Sequence, residues 1–458
     1  MDVQQVLIEQ VNDDIPSLSM SERLKISNQK KNIFLLKRGI WLYFLLLIFE
    51  GGLRKWILPA LASPILIIRD PLAIWLLIVA WRSGIYTFNR YVVLMYIVSI
   101  IALFSAIFLG HGNFFVAVFG VRTLIVHFPV IFIIGKVFDR DDVLKMGKFI
   151  IWLILPMTVL LFLQFNSPQS AFVNRGVGGD VEGAGFSGAL GFFRPPGTFS
   201  FTNGTALFYS LSACFVLFFW LGPKQYLNRV LLICASFAVL AAIPLSISRT
   251  LFFSILITLF FIVLAILKRR RSIVQIILIT FVLSAGFLAL VQLKSFQTAT
   301  SAFTTRFSDA SDSEGGIKGT VQKRIVGTLI GAITDNQKLP FFGYGIGMGT
   351  NVGSVLLTGK NQFLVAETEW GRLIGEMGIV MGLIVIIIRL TITAKIAIAS
   401  YRQLSIGDFL PWILLSYCAI TLPQSQWAQP TALGFCVFVA GLTIASLRIP
   451  QKQIIQNG

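Results

Sequence analysis

Four arginines stand at the edges of apolar stretches of this chain, where a charged side chain is costly to keep. By insertion scales, a guanidinium at the centre of a membrane helix costs about 2.5–3.5 kcal/mol. A guanidinium also matches the oxygens of a phosphate group through two parallel hydrogen bonds. A count of loop charges puts all four arginines on one face of a membrane, which favours a shared site for a lipid-borne anion. The four residues are Arg194, Arg249, Arg324 and Arg372.

Arg249 lies in the short segment 246–250, between two apolar stretches with almost no loop. Because so tight a turn cannot carry the charge far from the helices, the position favours an anion-binding or ion-pairing role. The alternative is that the side chain only extends to the membrane surface, as long basic side chains do.

Arg194 begins the segment 194–199, RPPGTF, just before an apolar stretch. The prolines restrict the backbone, and either Thr202 or Asn203 is a suitable N-cap for the helix that follows. A capped helix N-terminus beside an arginine is a good phosphate site. The alternative is an ordinary entry of a loop into a helix.

Three carboxylates and an arginine enter the tenth apolar stretch together: Glu367, Glu369, Arg372 and Glu376. One interpretation is that they form salt bridges with one another and with nearby basic residues. The other is that Glu367 or Glu369 is a general base or binds sugar hydroxyls. Glu376 lies deeper in the stretch, so its side chain is expected to face the interior of the bundle.

Other charged residues are expected to surround or support this site. Arg122 lies within the fourth apolar stretch and is expected to complete a positive outer cavity with Arg324. The segments 50–56 and 69–71 are expected to pair among themselves as an anchor at the membrane interface. The glycine run 343–349 lacks the lysine and the strand–turn–helix context of a nucleotide loop.

The composition is that of a membrane protein. Of 458 residues, 56% are hydrophobic and 13% are charged, and the mean hydropathy is +0.81, whereas soluble domains have about 25% charged residues. Apolar stretches recur from end to end and predict an all-α, polytopic bundle of about twelve transmembrane helices, with a large outer loop that carries short helices. The predicted spans are 39–50, 64–81, 91–110, 114–135, 149–165, 204–221, 230–247, 250–267, 273–291, 370–388, 409–422 and 430–447.

The distribution of basic residues predicts the orientation. Inner loops of membrane proteins are rich in Lys and Arg, and with both termini in the cytoplasm more than half of the 38 Lys and Arg residues fall on the inner side. The basic run 268–271 then lies inside, whereas the loops 111–113 and 423–429, which contain no Lys or Arg, lie outside.

By this topology the chain has five parts. They are a basic cytoplasmic leader (1–38), nine helices (39–291) with an outer loop at 166–203, a large outer loop (292–369), three further helices (370–447) and a cytoplasmic tail (448–458). The large loop opens with polar, Ser/Thr-rich sequence and is predicted to carry a helix around 320–334.

The net charge of +18 raises nucleic acid as a partner, but the basic residues flank the helices and no basic run has interleaved aromatics. No nucleic-acid partner is therefore expected. The four cysteines all lie within apolar spans and the chain has only two histidines, so neither a metal site nor another cofactor is predicted.

The order of these motifs resembles the O-antigen ligase and O-antigen polymerase superfamily. The resemblance covers about 190–390 and depends on short motifs whose order and topology agree. The matching features are the segment 194–199 with Asn203, the segment 246–250 between two spans, the long outer loop, the glycine run 343–347, and the segment 367–378, which ends in Glu-x-Gly.

Members of that superfamily are metal-independent glycosyltransferases of the bacterial inner membrane. They take a glycan from an undecaprenyl-diphosphate donor on the periplasmic side; ligases pass it to lipid A-core and polymerases pass it to another lipid-linked repeat unit. The resemblance implies that Arg194, Arg249 and Arg324 hold the diphosphate as it leaves. It also implies contact with membrane lipids and with other polysaccharide-assembly proteins.

The chain departs from the ligases at one position. Ligases commonly carry a His nine residues before the Glu of Glu-x-Gly, where this chain has Glu367. A carboxylate can still take a proton from a hydroxyl, so a polymerase of O-antigen, exopolysaccharide or capsule is favoured over a ligase. Two other classes stay open: a transporter or flippase of a lipid-linked or anionic solute, and a non-catalytic partner in polysaccharide assembly. The lack of an obvious internal repeat counts against the transporter.

Overall fold

The fold is a bundle of apolar helices. A computed structural model of the chain describes residues 20–86, 88–222, 226–268, 292–314, 339–360 and 364–448. Within these ranges, eight helical segments are long and apolar enough to cross a membrane, and three shorter apolar helices accompany them. The prediction of an all-α, polytopic membrane bundle is therefore confirmed. The ninth predicted span, 273–291, lies outside the described residues.

Most of the described helices overlap the predicted spans, although those that contain the spans 39–50 and 149–165 begin well before them. Helices α1 to α7 are Met20–Gly52, Ala62–Ile65, Arg69–Arg82, Arg90–Phe108, Phe114–Arg122, Phe128–Val137 and Arg140–Asn166. Helices α8 to α15 are Thr202–Leu221, Arg229–Leu245, Arg249–Lys268, Lys294–Glu314, Asn351–Thr358, Glu369–Ile406, Leu410–Gln424 and Pro430–Ser446. Short π-helical and 3-10 turns add Leu53–Ile57, Pro59–Leu61, Thr123–His127 and Phe172–Asn174, and two short antiparallel strands are β1 (Phe186–Ser187) and β2 (Phe193–Arg194).

Polar residues begin several of the helices. The side chain of Asn89 accepts hydrogen bonds from the first backbone N–H groups of α4, and Asp139 forms a reciprocal capping box at the start of α7. The predicted cap of α8 is not found: its N-cap residue is Phe201, which makes no side-chain cap. The side chain of Asn203 instead donates a hydrogen bond to Gln429.

Two helices extend into segments that the sequence predicted as leader or loop. Helix α1 begins at Met20, inside the predicted leader, and α11 covers the Ser/Thr-rich start of the large outer loop. Helix α11 is amphipathic, because Phe296, Ala299 and Ala302 recur at intervals of three and are buried together with Leu245 of α9. The predicted helix at 320–334 lies outside the described residues.

Glycines allow the closest helix packing in the core. A Cβ added to Gly135 of α6 would lie 2.6 Å from the side chain of Ile444, and one added to Gly441 of α15 would lie 2.6 Å from that of Ile134. An isoleucine side chain of each helix therefore packs directly against the glycine of the other, as small residues permit in membrane bundles.

The two ends of the bundle differ in their polar contacts. At one end, called the site end, α3, α8 and α15 begin, and Arg69 donates to the carbonyl of Pro430. The opposite end is held by ion pairs between loops and helix ends, such as Arg140 Nη2 to Asp408 Oδ1 at 2.7 Å. Such half-buried charged contacts are expected at a membrane surface.

Candidate functional site

The helix α13 is broken and folds back on itself. Gly378 has φ 77 and ψ 166, values that no helix contains. A Cβ added to Gly382 would lie 2.8 Å from the Cα of Ile374, eight residues earlier, whereas eight residues of straight helix span about 12 Å. A short arm, 369–377, therefore lies against a long arm, 379–406. The predicted tenth span, 370–388, is not one straight helix, because its middle contains this reversal.

The reversal brings two guanidiniums and two carboxylates together in the bundle. Glu369 accepts bonds from Nε and Nη2 of Arg372 at 3.0 and 2.9 Å and from Nη1 of Arg389 at 2.6 Å. Nη1 of Arg372 also contacts Glu376 at 2.5 Å. All four side chains are buried, so the set is close to neutral and satisfies the requirement that buried charges be paired. The carboxylate of Glu369 and the guanidinium of Arg372 are thus both paired within the protein, as the salt-bridge interpretation predicts.

The glycine run packs against the short arm. The backbone N–H of Gly349 donates to Glu376 at 2.7 Å, and that of Gly345 donates to the carbonyl of Glu376 at 2.9 Å. A Cβ at Gly347 would lie 2.1 Å from the carbonyl oxygen of Val116. These glycines allow backbone to approach backbone, which accounts for the run without a nucleotide.

Arg122 belongs to a different polar cluster. Its Nη1 lies 2.7 Å from both carboxylate oxygens of Asp70, and Asp70 also contacts Nε2 of His127 at 2.8 Å. Arg69 instead pairs with Glu50 at 3.1 Å. The expected pairing between the segments 50–56 and 69–71 is therefore found for Arg69 with Glu50. Asp70 instead pairs with Arg122, outside these segments. The charge of Arg122 is matched, and the residue borders neither of the two cavities described below.

Arg194 is held in the β2 strand, opposite Phe186 of β1. Its Nε is buried and has no hydrogen-bond partner among the described residues. Arg306 of α11 donates to the carbonyls of Ser187 and Gly188, at 3.2 and 3.0 Å, and so joins α11 to the same strand pair. Burial lowers the pKa of Arg194 to about 10, with further contributions from the nearby charges of Arg306 and Arg249.

Arg194, Arg249 and Arg306 form what we call the arginine cluster. Burial and then the charge of Arg249 lower the pKa of Arg306 as well. None of the ion pairs found among the described residues involves Arg194 or Arg306. The positive charges of this cluster repel one another, and an anion would relieve the repulsion. Arg324, predicted to join them, lies outside the described residues.

A cavity of about 160 Å³ at the site end is lined by Arg194 of this cluster, whereas Arg249 and Arg306 do not line it. One wall is apolar, formed by Ala206, Leu207 and Ala432. The rest of the lining is polar and comprises Arg194, Asn203, Ser248, Thr250, Ser425 and Gln426. The cavity thus places an apolar surface beside a cationic one, as an amphipathic anion requires.

A second, smaller pocket contains the exposed carboxylate of the site. Its volume of about 10 Å³ corresponds to one water-sized group. Glu367 is exposed and forms no ion pair with a described residue. Of the two predicted bases, Glu367 is therefore the one with a carboxylate available to a hydroxyl. The lining comprises Gly349, Asn351, Ala366, Glu367, Thr368, Glu369, Arg372, Gln426, Ala428 and Gln429.

A chain of side-chain amides connects the two cavities. Asn203 Nδ2 donates to Gln429 Oε1, Gln429 Nε2 donates to Gln426 Oε1 at 2.6 Å, and Gln426 Nε2 donates to the carbonyl of Glu367. Gln426 lines both cavities. Sequence reasoning missed Gln426 and Gln429, whose only signal was two polar amides in a turn between two apolar spans.

The turn that carries these glutamines is recessed. Helices α14 and α15 have 15 and 17 residues, about 23 and 26 Å of helix, less than the roughly 30 Å of a bilayer core. Carbonyls at such a depth need donors, and Arg389 supplies them, donating to Leu422 at 2.7 Å and Ser425 at 2.9 Å. The floor of the site is therefore held by the same arginine that pairs with Glu369.

The segment 194–199 is anchored by a buried lysine. Lys55 Nζ donates to the carbonyls of Gly197 and Phe199, at 2.6 and 2.9 Å, and Gln164 Oε1 accepts from the N–H of Gly197 at 2.8 Å. Lys55 belongs to the segment expected to pair only with its own neighbours. Its contacts show instead that the segment holds the loop that positions Arg194.

Among the described residues, no three His, Cys, Asp or Glu side chains are grouped so that they could hold a metal ion. No protein-family model, curated protein or solved structure matches this chain. Its function is therefore inferred from the residues and the geometry of the site.

Proposed function

We propose that the protein is a glycosyltransferase of the bacterial inner membrane, whose site end faces the periplasm. It transfers or polymerises oligosaccharide units carried on undecaprenyl diphosphate, in the assembly of O-antigen, exopolysaccharide or capsule. One observation carries the proposal: Arg194, whose charge is close to those of Arg306 and Arg249, lines a cavity that shares Gln426 with the pocket of Glu367. Gln426 thus lies between a cationic site and the carboxylate of Glu367. Such a pair of groups suits a reaction in which an anion leaves and a proton is removed from a hydroxyl.

The donor fits the larger cavity through both of its chemical features. Arg194 would bind the diphosphate, and the nearby charges of Arg249 and Arg306 would help to stabilise the negative charge that builds on it as it leaves. The apolar wall of Ala206, Leu207 and Ala432 would contact the first part of the isoprenoid chain. The arginine cluster thus acts on the leaving group.

The acceptor presents its hydroxyl group to the smaller pocket, which has room for one group of that size. Its hydroxyl oxygen forms a bond to the anomeric carbon of the donor sugar, while the bond from that carbon to the diphosphate breaks and the diphosphate keeps the electron pair. The carboxylate of Glu367 takes the hydroxyl proton. The buried pairs of Glu369 with Arg372 and Arg389 hold the backbone that carries Glu367.

Product analysis with the purified full chain tests the proposal. The protein is incubated with a fluorescent undecaprenyl-diphosphate oligosaccharide, without and with a second lipid acceptor. A ladder of longer oligosaccharides identifies a polymerase, and transfer to the second lipid identifies a ligase. Glu367→Gln should reduce turnover by about 10²–10⁴-fold, whereas Glu182→Gln, at another exposed acidic residue, should not. Absence of any product with the wild-type chain would overturn the proposal.

Transport of a lipid-linked anion is a second candidate, favoured by the break in α13. Transporters often build their substrate sites from interrupted helices, and Gly378 interrupts α13 beside the site. Proteoliposomes distinguish the two. A transporter moves the intact fluorescent lipid diphosphate to the other leaflet, whereas the enzyme changes its chemical structure.

A further inference from the structure

Two buried atoms of opposite polarity belong to residues that line the 160 Å³ cavity. Nε of Arg194 can only donate a hydrogen bond, and Oδ1 of Asn203 can only accept one. Neither has a hydrogen-bond partner within the described part of the chain. Since buried polar atoms are almost always hydrogen-bonded, the pair specifies what a ligand of this cavity has to supply.

The orientation of the Asn203 amide follows from its neighbours. The amide chain ends at the backbone carbonyl of Glu367, which can only accept, so Gln426 must present Nε2 to it. Gln426 then presents Oε1 to Nε2 of Gln429, and Gln429 presents Oε1 to Nδ2 of Asn203. Each amide is oriented by the next, and the unused atom of Asn203 is therefore the acceptor oxygen.

An anion alone would give a partner to Nε of Arg194 but not to Oδ1 of Asn203. A phosphate oxygen accepts from Arg194, but it repels the carbonyl oxygen of Asn203, because both are acceptors. The matching ligand carries a hydrogen-bond donor next to its phosphate. A sugar attached to phosphate through its anomeric carbon has such a donor on the adjacent carbon, as a hydroxyl or an amide N–H.

We propose that Asn203 recognises the first sugar of the donor by accepting a hydrogen bond from the group on the carbon next to the anomeric phosphate. The inference rests on the proposed function and deepens it. The cavity binds a glycosyl diphosphate, and bare lipid diphosphate fills it incompletely. Asn203 is then a residue that determines specificity, and Gln429 and Gln426 orient it.

Binding to the purified full chain tests the inference with three probes: farnesyl diphosphate, farnesyl diphosphate glucose and farnesyl diphosphate 2-deoxyglucose. The wild-type protein should bind the glucose probe about tenfold more tightly than the 2-deoxyglucose probe, the value of one good hydrogen bond. Asn203→Leu should remove this preference, so that the variant binds the two sugar probes equally. Asn166→Leu, at an exposed asparagine of α7, should retain the preference.

The outcomes separate this inference from the proposed function. If the wild-type protein binds none of the three probes, the diphosphate site itself is refuted. If it binds farnesyl diphosphate but treats the two sugar probes alike, the role of Asn203 is refuted and the diphosphate site stands. The comparison of the two sugar probes needs no variant, so it decides the question even if Asn203→Leu does not fold.

Discussion

The carboxylate of Glu369 and the guanidinium of Arg389 lie 2.6 Å apart, although the two residues are twenty positions apart in the same helix. Twenty residues of straight helix would separate them by about 30 Å. The contact is possible because the chain reverses at Gly378, so that the short arm of α13 returns along the long arm.

The reversal also determines where the site lies. Glu367 lies two residues before the short arm, and its carbonyl accepts from Gln426 in the turn between α14 and α15. The hairpin therefore places the candidate base beside the cavity that Arg194 borders.

Glu369 should contribute more to stability than Arg389. Glu369→Gln leaves Arg389 buried with carbonyl partners but no carboxylate, and breaking a buried pair in this way costs about 3–5 kcal/mol. Arg389→Met is milder, because Glu369 keeps its two bonds to Arg372. Thermal unfolding of the purified protein should show the larger loss for Glu369→Gln.

The double variant Glu369→Gln/Arg389→Met should be more stable than Glu369→Gln alone, since it removes the orphaned charge. Arg402→Ala, at an exposed arginine near the far end of α13, is the control and should leave unfolding unchanged. Equal and additive losses for the two single variants would contradict the pairing.

Gly378→Ala should prevent the hairpin from closing. A Cβ at this position would lie 2.0 Å from the carbonyl oxygen of Phe341, and the residue has a positive φ of 77. Gly84→Ala is the matched control, because Gly84 has a similar φ of 68 but no atom within 4 Å of its Cβ position. Size-exclusion profiles and unfolding temperatures should show a small loss for Gly84→Ala, about 1–2 kcal/mol, and a larger one for Gly378→Ala. Similar losses for both would show that only φ strain matters at Gly378.

The sequence predicted the spans well because hydropathy and basic flanks report directly on membrane insertion. The observed helices 90–108, 202–221 and 430–446 lie within about three residues of the predicted ones. The hairpin was missed because Gly378 occurs in a predominantly apolar stretch that is long enough to be one membrane-spanning helix. There, glycines at intervals of four indicate helix packing as readily as a reversal.

The site was predicted only in part. Arg194 and Arg249 could be predicted as site residues because each stands at the end of an apolar stretch. Arg306 lies in a polar segment, where an arginine is ordinary and gives no signal of a site. Gln426 and Gln429 gain a role only when α8 and α15 begin side by side, which spacing along the chain does not reveal. The sequence also did not reveal which arginines pair with carboxylates, because such pairs depend on tertiary contacts. Arg122, which pairs with Asp70, is an example.

Arg194→Gln should stabilise the ligand-free protein. Burial lowers the pKa of Arg194 to about 10, so the folded state disfavours its charge. That penalty is fully present at pH values below about 10 and is lost as the pH rises from there toward the ordinary pKa of arginine. Replacing the charge should therefore raise the unfolding temperature at pH 7 while weakening anion binding. A lower unfolding temperature would indicate that Arg194 is a structural residue.

Diphosphate should protect the wild-type protein from unfolding. At a pyrophosphate concentration of 100 Kd the gain is about 2.7 kcal/mol, and Arg194→Gln should reduce it, whereas Arg82→Gln, at an exposed arginine of α3, should not. Equal protection of the two variants would place the anion elsewhere.

The pH dependence of that binding has a defined direction. Because a pKa of about 10 keeps Arg194 charged at neutral pH, affinity for farnesyl diphosphate should be nearly constant from about pH 7.5 to pH 8.5 and fall as the pH passes 10. Titration calorimetry at several pH values measures this affinity. A decline centred well below pH 9 would require a different titrating group.

The most direct measurement is the rate at which the purified protein converts a fluorescent undecaprenyl-diphosphate oligosaccharide, compared between Arg194→Ala and Arg82→Ala. If the arginine cluster stabilises the departing diphosphate, Arg194→Ala should lose about 10²–10³-fold in turnover, and Arg82→Ala should match the wild type. Wild-type turnover by Arg194→Ala, in correctly folded protein, would contradict the account.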